Sequence, residues 1–122
     1  MKRLALLLTM AALVFSCTKE SDVEQISYFQ NVQDTFDIKM LGCSDAGYIW
    51  FFVNKSSANK VKVIKESSFS ANPGYIGGYN YQVFTLVALE SGKEVLKFEE
   101  YQPWQKSKSV IAKTRYTVHI SE

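Results

Sequence analysis

Between Phe36 and Met40 the chain alternates, with Phe36, Ile38 and Met40 on one side and Asp37 and Lys39 on the other. That two-residue period belongs to a strand with one buried face. Tyr48 to Val53 is an unbroken aromatic and β-branched run, suited to a central strand and too short for a core helix. Asn54 to Asn59 is a turn cluster. Val61 and Val63 then alternate with Lys60, Lys62 and Lys65, which read as the solvated side of a strand. Asn72-Pro73-Gly74 and Gly77-Gly78 bracket a loop, because a proline and three glycines do not fit regular structure there. Tyr79 to Leu89 alternates again, grouping Phe84, Leu86 and Ala88. Ser91-Gly92-Lys93 predicts a hairpin turn, and Val95 to Tyr101 returns with Leu96 and Phe98 facing the core. Gln102-Pro103-Trp104 and the polar stretch Gln105 to Ser109 interrupt before Tyr116, Val118 and Ile120 close the chain in strict alternation. No segment carries a sustained helical period or a capped helix. About seven short strands separated by turns predict an all-β fold, an antiparallel β-sandwich of immunoglobulin type.

The first segment has a different pattern. Lys2 and Arg3 precede an apolar stretch from Leu4 to Phe15, too short for a permanent membrane-spanning helix and laid out as a secretory leader. Ser16-Cys17 at its end, with Val14 three positions before the cysteine, matches a bacterial lipoprotein cleavage site, whose thiol is the atom acylated. Residues 1–16 are therefore expected to be a lipoprotein signal peptide. Residues 17–32 are expected to be a lipidated Cys17 and a polar tether, since Thr18 to about Gln25 has nothing to bury. Residues 33–122 are the expected domain, held to a membrane through lipid on Cys17. The location implied is the bacterial cell envelope, lipid-anchored at the outer membrane and either periplasmic or surface-exposed. With Cys17 acylated, Cys43 has no partner in the chain and is expected to be a free thiol.

Composition narrows the function. Hydrophobic residues make up 47% of the chain, enough for one packed core and a monomeric domain. The formal charge of +2 vanishes with the leader: of 14 basic residues, Lys2 and Arg3 are removed, leaving 12 against 12 acidic. A neutral domain without a basic cluster argues against a nucleic-acid partner. His119 is the single histidine, and no cluster of His, Cys or carboxylates forms a metal-ligand set. Glu99 and Glu100 are adjacent, so on a strand they point to opposite faces and make no carboxylate pair. No glycine-rich loop lies between a strand and a helix. The reading is a protein that is not an enzyme and uses no cofactor and no metal.

Three loops carry a resemblance. They hold Gly47-Tyr48-Ile49-Trp50, then Gly74-Tyr75-Ile76-Gly77-Gly78, then Tyr101-Gln102-Pro103-Trp104, followed by the closing strand Tyr116 to Ile120. In this order and spacing the chain resembles the chagasin family of cysteine-peptidase inhibitors, over roughly Phe36 to Ile120. The resemblance implies an immunoglobulin-like sandwich whose three loops lie side by side and fill the cleft of a papain-like cysteine peptidase, reversibly and without chemistry. Carried over position by position, the contacting residues are Asp45, Ala46, Gly47 and Tyr48; Ile76, Gly77 and Gly78; and Gln102, Pro103 and Trp104. Read by itself, Trp50 is a core tryptophan of the sandwich, and Gly77-Gly78 serves equally as a plain hairpin turn. Two departures stand out. Cys43-Ser44-Asp45-Ala46 occupies the place of the family's Asn-Pro-Thr-Thr, and Gln102 that of its arginine. The alternative class is a surface-anchored immunoglobulin-like module that binds a protein or glycan without inhibiting anything.

Overall fold

A computed structural model of the chain describes residues 23–43, 46–71 and 79–122, the side chains of 23–25, 106 and 107 excepted. Its strands are β1 (Val23–Asn31), β2 (Thr35–Gly42), β3 (Ile49–Phe52), β4 (Val61–Ser70), β5 (Asn80–Ala88), β6 (Gly92–Tyr101) and β7 (Ala112–Ser121). They form one sheet in the order β1-β7-β6-β3 and a second in the order β2-β5-β4. The two sheets face each other across a single core, as the alternation predicts. Along β2 exposed and buried residues take strict turns, so Phe36, Ile38 and Met40 meet Leu96, Phe98, Tyr116 and Val118 of the opposite sheet. Phe98 sits centrally, with ring centroids 5.0 Å from Phe84, 4.8 Å from Phe52 and 5.7 Å from Tyr116. Removing such a ring typically costs about 3–5 kcal/mol, so this cluster is the main source of stability.

One expectation is corrected here. The polar tether was placed over residues 17–32, yet β1 begins at Val23 and pairs with β7 along all nine of its residues. This is an edge strand that contributes little to the core. Phe29 is 72% exposed and, among the described side chains of the strand, Tyr28 is the one that packs on the core, against Phe36 and Tyr116, so the apolar signal is thin. The antiparallel sandwich expected from the sequence is present, with one local exception. The β1–β7 pair is parallel, whereas every other strand pair is antiparallel.

Register places the long connections. β2 ends at Gly42 and β4 at Ser70, both opposite Asn80, the first residue of β5. β3 begins at Ile49 opposite Tyr101, the last residue of β6, and Glu100 faces Ala112, the first of β7. The connections 43–48, 71–79 and 102–111 therefore all leave from one end of the sandwich. The opposite end carries the three-residue turns 32–34 and 89–91 and the eight-residue connection 53–60.

Candidate functional site

The loop end is organised by a side chain that the alternation puts inside. On β6, Leu96 and Phe98 face the core, and two residues further Glu100 does too, fully buried. Its Oε2 accepts a hydrogen bond of 2.8 Å from the Cys43 backbone N–H, fixing the first residue of the first loop. Gly42 lets the chain close on this group: a Cβ there would lie 3.1 Å from Glu100 Oε2 and 3.3 Å from Trp50 Cδ1. Trp50 is buried, as its core reading requires, and its indole N–H donates to the Leu41 carbonyl at 3.0 Å. Gln82 reaches over from the other sheet. Its Oε1 accepts from the Trp50 N–H at 3.0 Å, and its Nε2 donates to the Trp50 carbonyl at 2.9 Å. The edge strand β3 thereby gains partners for backbone groups that its sheet leaves unpaired.

Cys43 closes the turn. Its carbonyl accepts from both Ala46 N–H and Tyr48 N–H at 3.2 Å. Its sulfur is disulfide-bonded, which corrects the expectation of a free thiol at this position. The chain has one other cysteine, Cys17, which lies outside the described residues, as does the question of lipid on it. The sequence argument failed because it assumed that acylation had already removed the pairing partner.

The third loop is built around its own turns and then fastened to the first. Gln102 N–H donates to Ser109 Oγ at 2.9 Å, while the Gln102 and Gln105 carbonyls accept from Gln105 and Lys108 N–H. The Gln102 side chain donates from Nε2 to the Ala46 carbonyl at 3.0 Å, joining loop to loop. Gly47 adopts φ +86°, and the Trp104 ring packs directly against it, so that a Cβ on Gly47 would overlap Trp104 Cη2. Trp104 nevertheless remains 67% exposed, with Pro103 exposed beside it. A large ring is thus held on one face and offered to solvent on the other.

Of the residues singled out by sequence, the structure brings Ala46, Gly47, Tyr48, Gln102, Pro103 and Trp104 to this one end. Asp45, Ile76, Gly77 and Gly78 lie outside the described residues. The base of the second loop is described: Ala71 N–H donates to the Tyr79 carbonyl at 3.1 Å, at the same end. Beside the first loop a cleft of 320 Å³ opens between Tyr48, Ile49, Gln82 and Ser68. Sequence reasoning missed Glu100 and Gln82. Glu100 was findable, because it continues the Leu96, Phe98 alternation; Gln82 gave no signal. His119 stacks on Phe29 at 4.8 Å, far along β7 from the loops. Among the described residues no three His, Cys, Asp or Glu side chains gather into a metal site.

Comparison with known proteins gives a consistent result. The family described as "Chagasin family peptidase inhibitor I42" matches residues 30–120. No curated protein matches the chain by sequence. Solved structures share its fold, among them the following two. One is the cysteine protease inhibitor EhICP2 from Entamoeba histolytica, 18% identical over 80% of this chain and 95% of that one, with a TM-score of 0.62. The other is PbICP-C in complex with falcipain-2, 13% identical over 88% of this chain and 96% of that one, with a TM-score of 0.64.

Proposed function

The chain belongs to the chagasin family of peptidase inhibitors, and from that premise we propose that it is a reversible, tight-binding inhibitor of papain-family cysteine peptidases that fills their active-site cleft with its three loops. The observation that carries the proposal is Trp104, an exposed ring seated on Gly47 where two loops are hydrogen-bonded together. Exposed aromatic anchors on pre-organised loops dominate binding energy, because little side-chain or loop entropy is lost on docking. The complex of PbICP-C with falcipain-2 supports a peptidase as the partner of this fold. Gln102 explains how the loop pair tolerates losing the family's arginine: its amide ties the third loop to Ala46, a role that needs a donor but no charge.

Residues 1–17 support a processed leader and an envelope location with lipid on Cys17. Acylation of Cys17 and a disulfide between the chain's two cysteines exclude one another, because a thioether leaves no sulfur to pair. We take the acylated chain as the mature form and the disulfide as that of chains not acylated. Intact mass of the purified protein separates the two.

Titration of a papain-like peptidase tests inhibition. The wild-type chain abolishes activity at stoichiometric amounts. Trp104→Ala weakens inhibition by about 2 kcal/mol or more, roughly 30-fold, with an unchanged Tm because the ring is exposed. Full peptidase activity at large molar excess of wild type, across several such enzymes, would overturn the proposal and favour a non-inhibitory binding module.

A further inference from the structure

The corrected start of the domain changes where the anchor lies. β1 runs parallel to β7 and begins at Val23 opposite Lys113, one residue into β7 and just past the third loop. Adjacent strands are about 4.8 Å apart, so the chain enters the domain beside the third loop, at the Trp104 end. Only six peptide steps separate Cys17 from Val23, a reach of at most about 20 Å when fully extended. A globular partner of roughly 200 residues is on the order of 40 Å across. An anchor at Cys17 therefore holds the loop end nearer to its bilayer than the width of the partner it is meant to bind.

That end also has the chemistry of a membrane interface. Trp104 is largely exposed, Leu41, Ile49 and Tyr79 are each more than a third exposed, and Lys108 is exposed. Tryptophan and tyrosine settle at the headgroup level, and lysine is drawn to anionic lipid. We propose that, in the anchored chain, the three-loop end docks on the bilayer that carries the anchor, with Trp104 at headgroup level. Membrane and peptidase then compete for one face, and the tether length sets how much of the anchored inhibitor is available. This rests on acylation of Cys17 as proposed above.

The test uses the full chain, processed and lipidated in cells, in vesicles of phosphatidylethanolamine and phosphatidylglycerol carrying brominated acyl chains. Trp104 emission is quenched, and the quenching disappears in Trp104→Phe, because the remaining Trp50 is buried in the core. Inserting some twenty Gly/Ser residues between Thr18 and Val23 relieves the quenching and raises inhibition by the vesicle-bound protein several-fold, leaving the detergent-solubilised form unchanged. Acylated protein whose Trp104 is no more quenched than in the spacer variant overturns the docking. A preparation whose mass shows no acyl groups on Cys17 overturns the anchor, and the docking with it. Quenching is read without peptidase, so it stands even if inhibition fails.

Discussion

The long and the short connections of this sandwich are held by different means. At the loop end, long irregular connections rest on buried or half-buried polar side chains. Glu100 takes the Cys43 N–H, Gln82 takes both backbone groups of Trp50, and Gln102 ties Ala46. At the opposite end the three-residue turns 32–34 and 89–91 close mainly through backbone bonds, such as Gln33 N–H to the Ala88 carbonyl at 2.7 Å and Leu89 N–H to the Lys60 carbonyl at 2.8 Å. The eight-residue connection 53–60 leans on side chains instead: the Asn54 amide pairs with Val95 and Lys97, and Glu94 accepts from the Lys60 N–H. The charged pair at this end, Lys60 with Glu90 at 3.1 Å, is solvent-exposed. The difference follows from loop length. A short turn satisfies its own backbone, whereas a long loop must borrow donors and acceptors from the scaffold, and a buried partner is costly to lose.

The sharpest way to break this comparison is Glu100→Ala. It removes the carboxylate that accepts from the buried Cys43 N–H and empties the space beneath Gly42. The expected loss is roughly 2–3 kcal/mol, a fall on the order of 10 °C in Tm, with weaker inhibition because the first loop loses its footing. Glu100→Gln keeps an acceptor oxygen and recovers much of both. Thermal melts and peptidase titrations of the pair decide it; an alanine variant as stable as wild type would mean that the buried carboxyl does not hold the loop.

How much of this was readable beforehand also differs between regions. Strands β2, β5 and β7 were legible because one face of each is fully buried, which leaves a clean two-residue period in Phe36, Ile38, Met40 and in Tyr116, Val118, Ile120. β1 was not, because an edge strand with Phe29 facing solvent needs no such period. The three loops were legible as motifs, yet the means of joining them were not. Gln102 registered as a missing charge, while its tie to Ala46 depends on a loop-to-loop approach that no local pattern encodes. The Cys43 pairing was lost for a related reason, since it depends on a processing state that sequence composition does not fix.

Gly47→Ala separates loop shape from domain stability. A left-handed φ of +86° costs a non-glycine residue about 1–2 kcal/mol, and the added Cβ collides with Trp104. The ring is exposed and can swing away, so the Tm falls modestly while inhibition weakens on the order of tenfold, as expected when a hot-spot ring loses its seat. Equal losses in the two measurements would mean that the ring's position is not what matters.

Tyr28 reports on the turn-built half of the molecule. Burial, and secondarily the negative charge of Asp37, push its phenol above the ordinary value of 10.0. The folded chain keeps this proton at pH values where the unfolded chain begins to lose it. Stability from this group is therefore complete below about pH 10 and declines as pH rises further. Urea midpoints of Tyr28→Phe, followed from neutral to alkaline pH, should show a shallower alkaline decline than wild type. Parallel curves would place the alkaline loss elsewhere.

Lys60→Met marks the smallest effect and the other pole of the comparison. The Lys60–Glu90 pair spans 3.1 Å, but Glu90 is mostly exposed and both ends remain hydrated when parted. Exposed pairs of this kind contribute at most about 0.5–1 kcal/mol, and salt screens what there is. The Lys60 backbone keeps its own bonds, N–H to Glu94 and carbonyl from Leu89, so the turn survives the substitution. A Tm within a few degrees of wild type, with the difference vanishing in high salt, is expected, and inhibition should not change. A loss comparable to that of Glu100→Ala would show that the short turn at Glu90, too, depends on a side-chain partner, and the contrast drawn from loop length would fail.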